Sequence, residues 1–356
     1  MKTAMKWHSY KLHLLGALLL SSPCWVSGQL NYTFNPYYST FDTITAGTII
    51  MPDSTDEALS SPINIGFPFS YACNTYTQFM VSSNGWMSLG AAATSPLPVN
   101  DLTTTGQGPM LAPLWDDLAV SGDSMGNISY QLSGTAPNRV MAVQWLYMKW
   151  GAPSPGPVMS FQVKLYETTN IIEFVYQREA FTIWYGSASI GINGGTIPGD
   201  FYSVDGLPAT PVATYGIEND TVRTRPRGGR VYQWIPPPMV YDSAVTKQAG
   251  VGTVPACTLN KPIIGVQITT TWCDNPTLLT QMFLSMAGST IPGTSTNDVT
   301  AIHIYYTGSS PVFAPVNEFV PGGIAPATGT IIANGSQALV QGVNYFWVAY
   351  DLNAAT

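Results

Sequence analysis

Phe161-Gln162-Val163-Lys164-Leu165-Tyr166-Glu167-Thr168-Thr169-Asn170-Ile171-Ile172-Glu173-Phe174-Val175-Tyr176 is the stretch that decides the fold. Phe161, Val163 and Leu165 alternate with Gln162, Lys164 and Tyr166. Glu167-Thr168-Thr169-Asn170 supplies polar turn chemistry, and Ile172, Phe174 and Tyr176 then return on one face. Successive strand residues point to opposite faces, so period-two alternation on both sides of a polar turn predicts an antiparallel hairpin. The same signal recurs on either side. Gln78–Ser82 and Trp86–Leu89 flank Asn84-Gly85, the strongest short hairpin turn, and further strands are expected at Ile128–Leu132, Arg139–Trp150, Ser187–Asn193 and Gly229–Trp234. No long apolar stripe of helical period interrupts them. The predicted class is all-β, built as sandwiches.

Pro236-Pro237-Pro238 follows the last of these strands. Three prolines cannot continue a hydrogen-bonded ladder and favour a stiff extended connector. They divide a first β-sandwich domain (29–235) from a second (239–356), with 236–238 as linker. The second opens with Met239–Lys247 and continues with strands at Pro262–Trp272, Leu278–Leu284, Val299–Tyr306, Thr328–Ile332 and Asn344–Asp351. Their spacing suits a seven-stranded, immunoglobulin-like Greek key lacking its last strand. The expectation is therefore two sandwiches in tandem, the second truncated at its C-terminus, with further domains beyond Thr356.

The first 28 residues stand outside that fold. Lys2, Lys6 and Lys11 precede an apolar run from Leu12 to Leu20, broken only by His13 and Gly16, and small residues lead to Gly28. This is the pattern of a cleavable signal peptide cut after Gly28. The run falls short of the ~20 residues a bilayer span needs, and no later stretch reaches that length, so no membrane span is expected.

Loss of the leader changes the chemistry available. Three of the 13 basic residues leave and none of the 20 acidic ones does, which takes the net charge from −7 to roughly −10. Such a surface argues against nucleic acid or anionic membrane as partner. Only 9% of residues are charged, and Thr, Ser, Asn and Gly supply the polarity, as in extracellular β domains. His303 remains as the one histidine, so Ser-His-Asp, Cys-His and His-rich metal chemistry would all have to use it. It lies on a strand, on the face opposite Ile302, Ile304 and Tyr306, and is read as solvent-exposed. Of Cys73, Cys257 and Cys273, one must lack an intrachain partner. Cys257 and Cys273 flank an extended segment of roughly 36 Å, whereas bridged Cα atoms lie about 5.5 Å apart. They are not expected to pair.

Two resemblances add to this reading. Val81-Ser82-Ser83-Asn84-Gly85-Trp86-Met87-Ser88-Leu89-Gly90, Leu111-Ala112-Pro113-Leu114-Trp115-Asp116-Asp117-Leu118, the Phe161–Tyr176 hairpin and Ser187-Ala188-Ser189-Ile190-Gly191-Ile192 occur in an order that resembles nidogen-type extracellular domains. It is closer still to amino-terminal β domains of large surface proteins from Gram-negative bacteria with type IX secretion. Residues 239–356 resemble the amino-terminal domain that precedes BNR repeats in bacterial neuraminidase-like proteins. Ile264-Gly265-Val266-Gln267-Ile268, Asn275-Pro276-Thr277-Leu278-Leu279, Ile304-Tyr305-Tyr306-Thr307-Gly308-Ser309 and Gly342-Val343-Asn344-Tyr345-Phe346-Trp347-Val348-Ala349-Tyr350-Asp351 carry that second likeness. It implies an accessory sandwich rather than a catalytic propeller, and the chain holds no Asp-box.

Candidate site residues follow. Asp116 and Asp117, as neighbours at a strand end, read either as caps of backbone amides in a turn or, with Asp123 and loop carbonyls, as a calcium site. Adjacent strand residues point apart, so the pair does not suit acid–base catalysis. Arg223 and Arg225, in a cluster with Arg227 and Arg230, are donors suited to acidic ligands, or else part of a solvated loop. Trp184-Tyr185 is the aromatic platform candidate, whereas Trp145 and Trp150 read as packing. The expected function is a secreted or cell-surface, non-catalytic binding, adhesion or structural module that takes an extracellular glycan or protein ligand without a cofactor, calcium apart. The alternative is the accessory front end of a larger secreted glycosidase or peptidase.

Overall fold

The computed structural model describes residues 30–122, 125–151, 154–183, 186–249, 254–273, 276–285, 299–327 and 329–353. The leader segment 1–28, Asp123, Trp184 and Tyr185 lie outside the described residues. Every regular element among the described residues is a β-strand, and every pairing is antiparallel. No helix there is long and apolar enough to cross a membrane.

Residues 30–235 form two large sheets. One runs, in spatial order, through β1 (Thr33–Tyr38), β15 (Arg230–Ile235), β11 (Ile172–Arg178), β10 (Met159–Tyr166), β9 (Val140–Trp150), β8 (Asn127–Ser133) and β2 (Thr48–Met51), with β7 (Leu118–Val120) also on β9. The other runs through β14 (Ala213–Tyr215), β13 (Phe201–Val204), β12 (Ser189–Asn193), β6 (Met110–Trp115), β5 (Trp86–Leu89), β4 (Asn74–Ser82) and β3 (Ile63–Tyr71). The first strand pairs with the last, Thr33 opposite Ile235 and Tyr38 opposite Arg230, so chain ends distant in sequence meet in one sheet.

The deciding hairpin forms in the expected register, with Phe161 opposite Tyr176, Val163 opposite Phe174 and Leu165 opposite Ile172. These side chains enter one core with Trp145 and Trp234 of their own sheet and Phe69, Phe79, Leu111 and Ile190 of the other. The polar side of the hairpin is covered too. Gln162 is fully buried, and its Nε2 donates to Asp42 O (2.6 Å) and Gln144 Oε1 (2.9 Å). Burial of an amide is tolerable only when it is bonded in this way. On the opposite side of the molecule, Trp86 and Trp115 pack with Met80 and Phe201 under the 91–109 segment, and their Nε1 groups donate to Pro96 O and Leu97 O.

At the Asn84-Gly85 turn, Ser82 pairs with Trp86. Gly85 has φ +78°, and a Cβ there would sit 1.9 Å from Leu114 O, so only glycine fits. Several strands contain proline. Pro113 of β6 sits where the register to β12 shifts, Pro68 of β3 within the shift to β4, and Pro262 of β17 (Lys261–Thr271) at the shift to β21 (Gly342–Leu352). A bulge removes the ladder bond that proline cannot donate.

After the prolines, β16 (Val240–Gln248), β17, β21 and β19 (Val299–Tyr306) make a four-stranded sheet in that order. β18 (Leu278–Ser285) and β20 (Thr330–Ala338) make a two-stranded one. These are six strands among the described residues. A second core gathers Ile268, Ile302, Ile304, Tyr306, Phe346 and Val348 with Ile331 and Ala333. Cys73, in the turn between β3 and β4, is bridged to Cys273 just after β17, with Cα atoms 5.2 Å apart. Cys257 and Cys273 do not pair, and Cys257 is a free, exposed thiol.

Candidate functional site

The Asp116-Asp117 bend is built by the end of β6. Asp116 is 8% exposed. Its Oδ2 accepts from the indole Nε1 of Trp150 (2.6 Å) and the backbone N–H of Ser187 (2.7 Å), and its Oδ1 accepts from Asp117 N (2.8 Å). It therefore pins β6, β9 and the approach to β12 together. Asn84 completes the frame, accepting from Leu118 N with Oδ1 (3.0 Å) and from Asp116 N with its carbonyl (3.3 Å). Asp117 points elsewhere. Its carboxylate lies with those of Asp56 and Glu57, ligand atoms within 4.8 Å of one another, on exposed side chains. Burial, then Asp56 and Asp116, push the Asp117 carboxyl above its usual range. Glu57 is also raised, by burial and by Asp56 and Asp117, against a lowering hydrogen bond from Asn84. Three hard oxygens in one place are the chemistry of a divalent cation such as calcium, which takes its remaining ligands from carbonyls and water. Of the three aspartates read from sequence, then, Asp117 stands in an acidic group with Asp56 and Glu57, Asp116 is engaged by protein donors, and Asp123 is outside the described residues.

The arginines disperse. Arg225 donates from Nη1 to Val158 O (3.2 Å), Glu179 O (3.1 Å) and Phe181 O (2.7 Å), and burial followed by Arg178 lowers its pKa. Arg230 is buried in β15, with its guanidinium 3.9 Å from the Tyr38 ring centroid and Nη2 donating to Tyr38 Oη and Pro208 O. Arg223 and Arg227 are exposed. The close spacing of these arginines gave no sign that Arg225 and Arg230 brace backbone loops. Trp145 and Trp150 are core, as read.

His303 departs from its expected setting. It does lie on the face away from the second core, but it is not an exposed strand residue. Its side chain is 14% exposed and held between two carboxylates, with Nδ1 2.5 Å from Glu318 Oε1 and Nε2 3.1 Å from Asp351 Oδ2. The loop carrying Glu318 folds over it, and Gly323 (φ +75°) approaches so closely that a Cβ would lie 2.7 Å from Cε1. The ring stacks on Tyr305 at 5.8 Å and 13°. Tyr305 Oη donates to Asn260 Oδ1 (2.5 Å), Asn260 N to Asp351 Oδ1 (2.7 Å), and Gly322 N to Glu318 Oε2 (2.9 Å). Burial alone would lower the pKa of this histidine. The hydrogen bonds and charges of Glu318 and Asp351 outweigh it, and the pKa is raised. With a carboxylate on each ring nitrogen, the favoured form is the imidazolium, which donates on both sides. Neither nitrogen is left to act as a general base or a metal ligand. Strand alternation could not reveal this, because the partners lie 15 and 48 residues away.

Residues 31–236 match the family described as NIDO related. No curated protein and no solved structure matches the chain.

Proposed function

Because the chain belongs to the NIDO-related family, whose match covers more than half of it, we propose that it is a non-catalytic extracellular module that binds or spaces other surface components. The observation that carries this reading is the use made of its polar side chains. Asp116, Arg225, Arg230 and His303 brace strands and loops against one another rather than converging on a reacting group. The finer parts of the proposal are that 239–356 is an accessory sandwich similar to the domain ahead of BNR repeats, and that the protein is exported to the cell surface as an adhesin-like component. The calcium part of the proposal falls on Asp117 with Asp56 and Glu57, where the ion would fix that corner.

The test presents the purified chain with immobilised glycans and extracellular matrix proteins, and in parallel with chromogenic glycosides, esters and peptides. Saturable attachment without turnover is the expected result. Turnover that survives purification and is abolished by His303→Gln or Asp117→Asn would overturn the reading.

A further inference from the structure

The outer face of the four-stranded sheet, turned away from the second core, carries a trough that no motif announced. Register places Lys247, Gly265, Trp347 and Tyr305 in one row across β16, β17, β21 and β19, and Val245, Gln267 and Tyr345 in the next. Val245, Lys247, Gln248, Gly265, Gln267 and the Tyr345–Trp347 pair line a cavity of about 280 Å³. That is near the lower end of small-molecule sites, which begin at about 300 Å³.

Glycine in the middle of a strand is unfavourable unless close approach demands it. Here a Cβ at Gly265 would lie 3.0, 3.3 and 3.4 Å from Cζ3, Cε3 and Cη2 of Trp347. Near-equal distances to three consecutive ring atoms mean that the indole turns its face, not its edge, toward Gly265. An edge approach would leave the two flanking carbons well behind the central one. The Tyr345 ring is 6.5 Å away and tilted by only 18°. That separation matches the advance of two residues along a strand, about 6.7 Å. The two rings therefore stand side by side as one aromatic wall, and Trp347 is fixed by its Nε1 donating to Thr307 Oγ1 (3.0 Å) and by Phe313 edge-on at 6.1 Å. Facing the wall are Gln267 and Lys247, whose side chains have no partner among the described residues. Lys247 is the one charged side chain in the lining.

We propose that this trough binds a saccharide bearing a carboxylate or sulfate. The apolar face of a pyranose ring packs on Tyr345 and Trp347, the Gln267 amide takes its hydroxyls, and Lys247 takes the anionic group. An aromatic wall opposed by a few polar groups is the lining that orients such a ligand. The single cation in an otherwise uncharged lining selects the anionic class by charge complementarity. The proposal rests on the binding-module reading, but on residues of 245–347 rather than on the family match.

The test titrates the chain with oligogalacturonate, with a sulfated heparin hexasaccharide and with neutral cellohexaose, following tryptophan fluorescence and calorimetry. One or both anionic probes should bind, the cellohexaose at least about tenfold more weakly, with affinity falling as salt rises. Which anionic probe binds decides between carboxylate and sulfate. Trp347→Ala should weaken binding about tenfold or more, and so should Lys247→Ala, an exposed edge-strand change that leaves the fold intact. Equal binding of cellohexaose, or anionic binding that both variants retain, would overturn the site while leaving a saccharide-binding module. Attachment to a matrix protein with no saccharide binding at all would overturn the ligand class and leave the module reading standing.

Discussion

At the scale of single residues, the groups that looked most chemical are mostly structural, and their energetics can be checked. Asp116→Ala leaves the Trp150 indole N–H and the Ser187 amide without an acceptor in a buried corner. Unpaired buried donors cost ~1–3 kcal/mol each, so a loss of about 2–6 kcal/mol in urea unfolding is expected. His303 gives a pH signature. Its folded pKa is raised above the unfolded value of about 6.5. The stabilisation it contributes is therefore complete below that value and is lost as pH rises through the folded pKa. Thermal melts from pH 5 to 9 should show wild-type stability declining across that window, and His303→Gln should flatten the curve. The sequence alone showed which strand face His303 occupies. It did not show the clamp, because Glu318 and Asp351 reach it through a loop and a neighbouring strand. Asp117 was legible as an acidic candidate, whereas its companions Asp56 and Glu57 come from a loop that no strand pattern ties to it.

At the scale of elements, the strands most legible from sequence are those whose alternation is uninterrupted. β10 and β11 are of this kind, as are β4 and β5 around Asn84-Gly85. Of the strands that escaped notice, β2, β7, β13 and β14 are only three or four residues long, too short for alternation to show, and β1, β3 and β6 carry proline or glycine that reads as loop chemistry. Pro36 sits in edge strand β1, Gly66 and Pro68 interrupt β3, and Pro113 interrupts β6. Each is accommodated at a sheet edge or a register shift, a tertiary arrangement that local pattern cannot display. The Asn84-Gly85 turn is the sharpest test at this scale. Gly85→Ala must place a methyl group against Leu114 O at a positive φ. It should cost at least about 3 kcal/mol in chemical denaturation. Asn84→Gly would keep the backbone conformation and remove the side-chain bonds to Leu118 N, Glu57 and Pro96 O, without forcing a Cβ against Leu114 O, and so should cost less.

At the scale of the whole chain, the triple proline marked the change from one set of sheets to the next, and among the described residues no strand pairing joins the two sets. What the prolines could not show is that the two stretches are joined a second time, by Cys73–Cys273 across 200 residues. The spacing of Cys257 and Cys273 excluded one pairing but could not choose between the others, since bridge partners are set by the folded arrangement rather than by order along the chain. Cross-linking so long a loop restricts the unfolded chain, and Cys73→Ser should lower the unfolding free energy by about 2–4 kcal/mol in the oxidised protein while changing little under reductant. The same bridge has a mechanical consequence. In a chain pulled from its two ends, tension passes from Cys73 directly to Cys273 and bypasses both the proline connector and most of the strands on which the sheets depend. Those 200 residues are held out of the load path, a reserve of about 700 Å of extension that only a reductant releases.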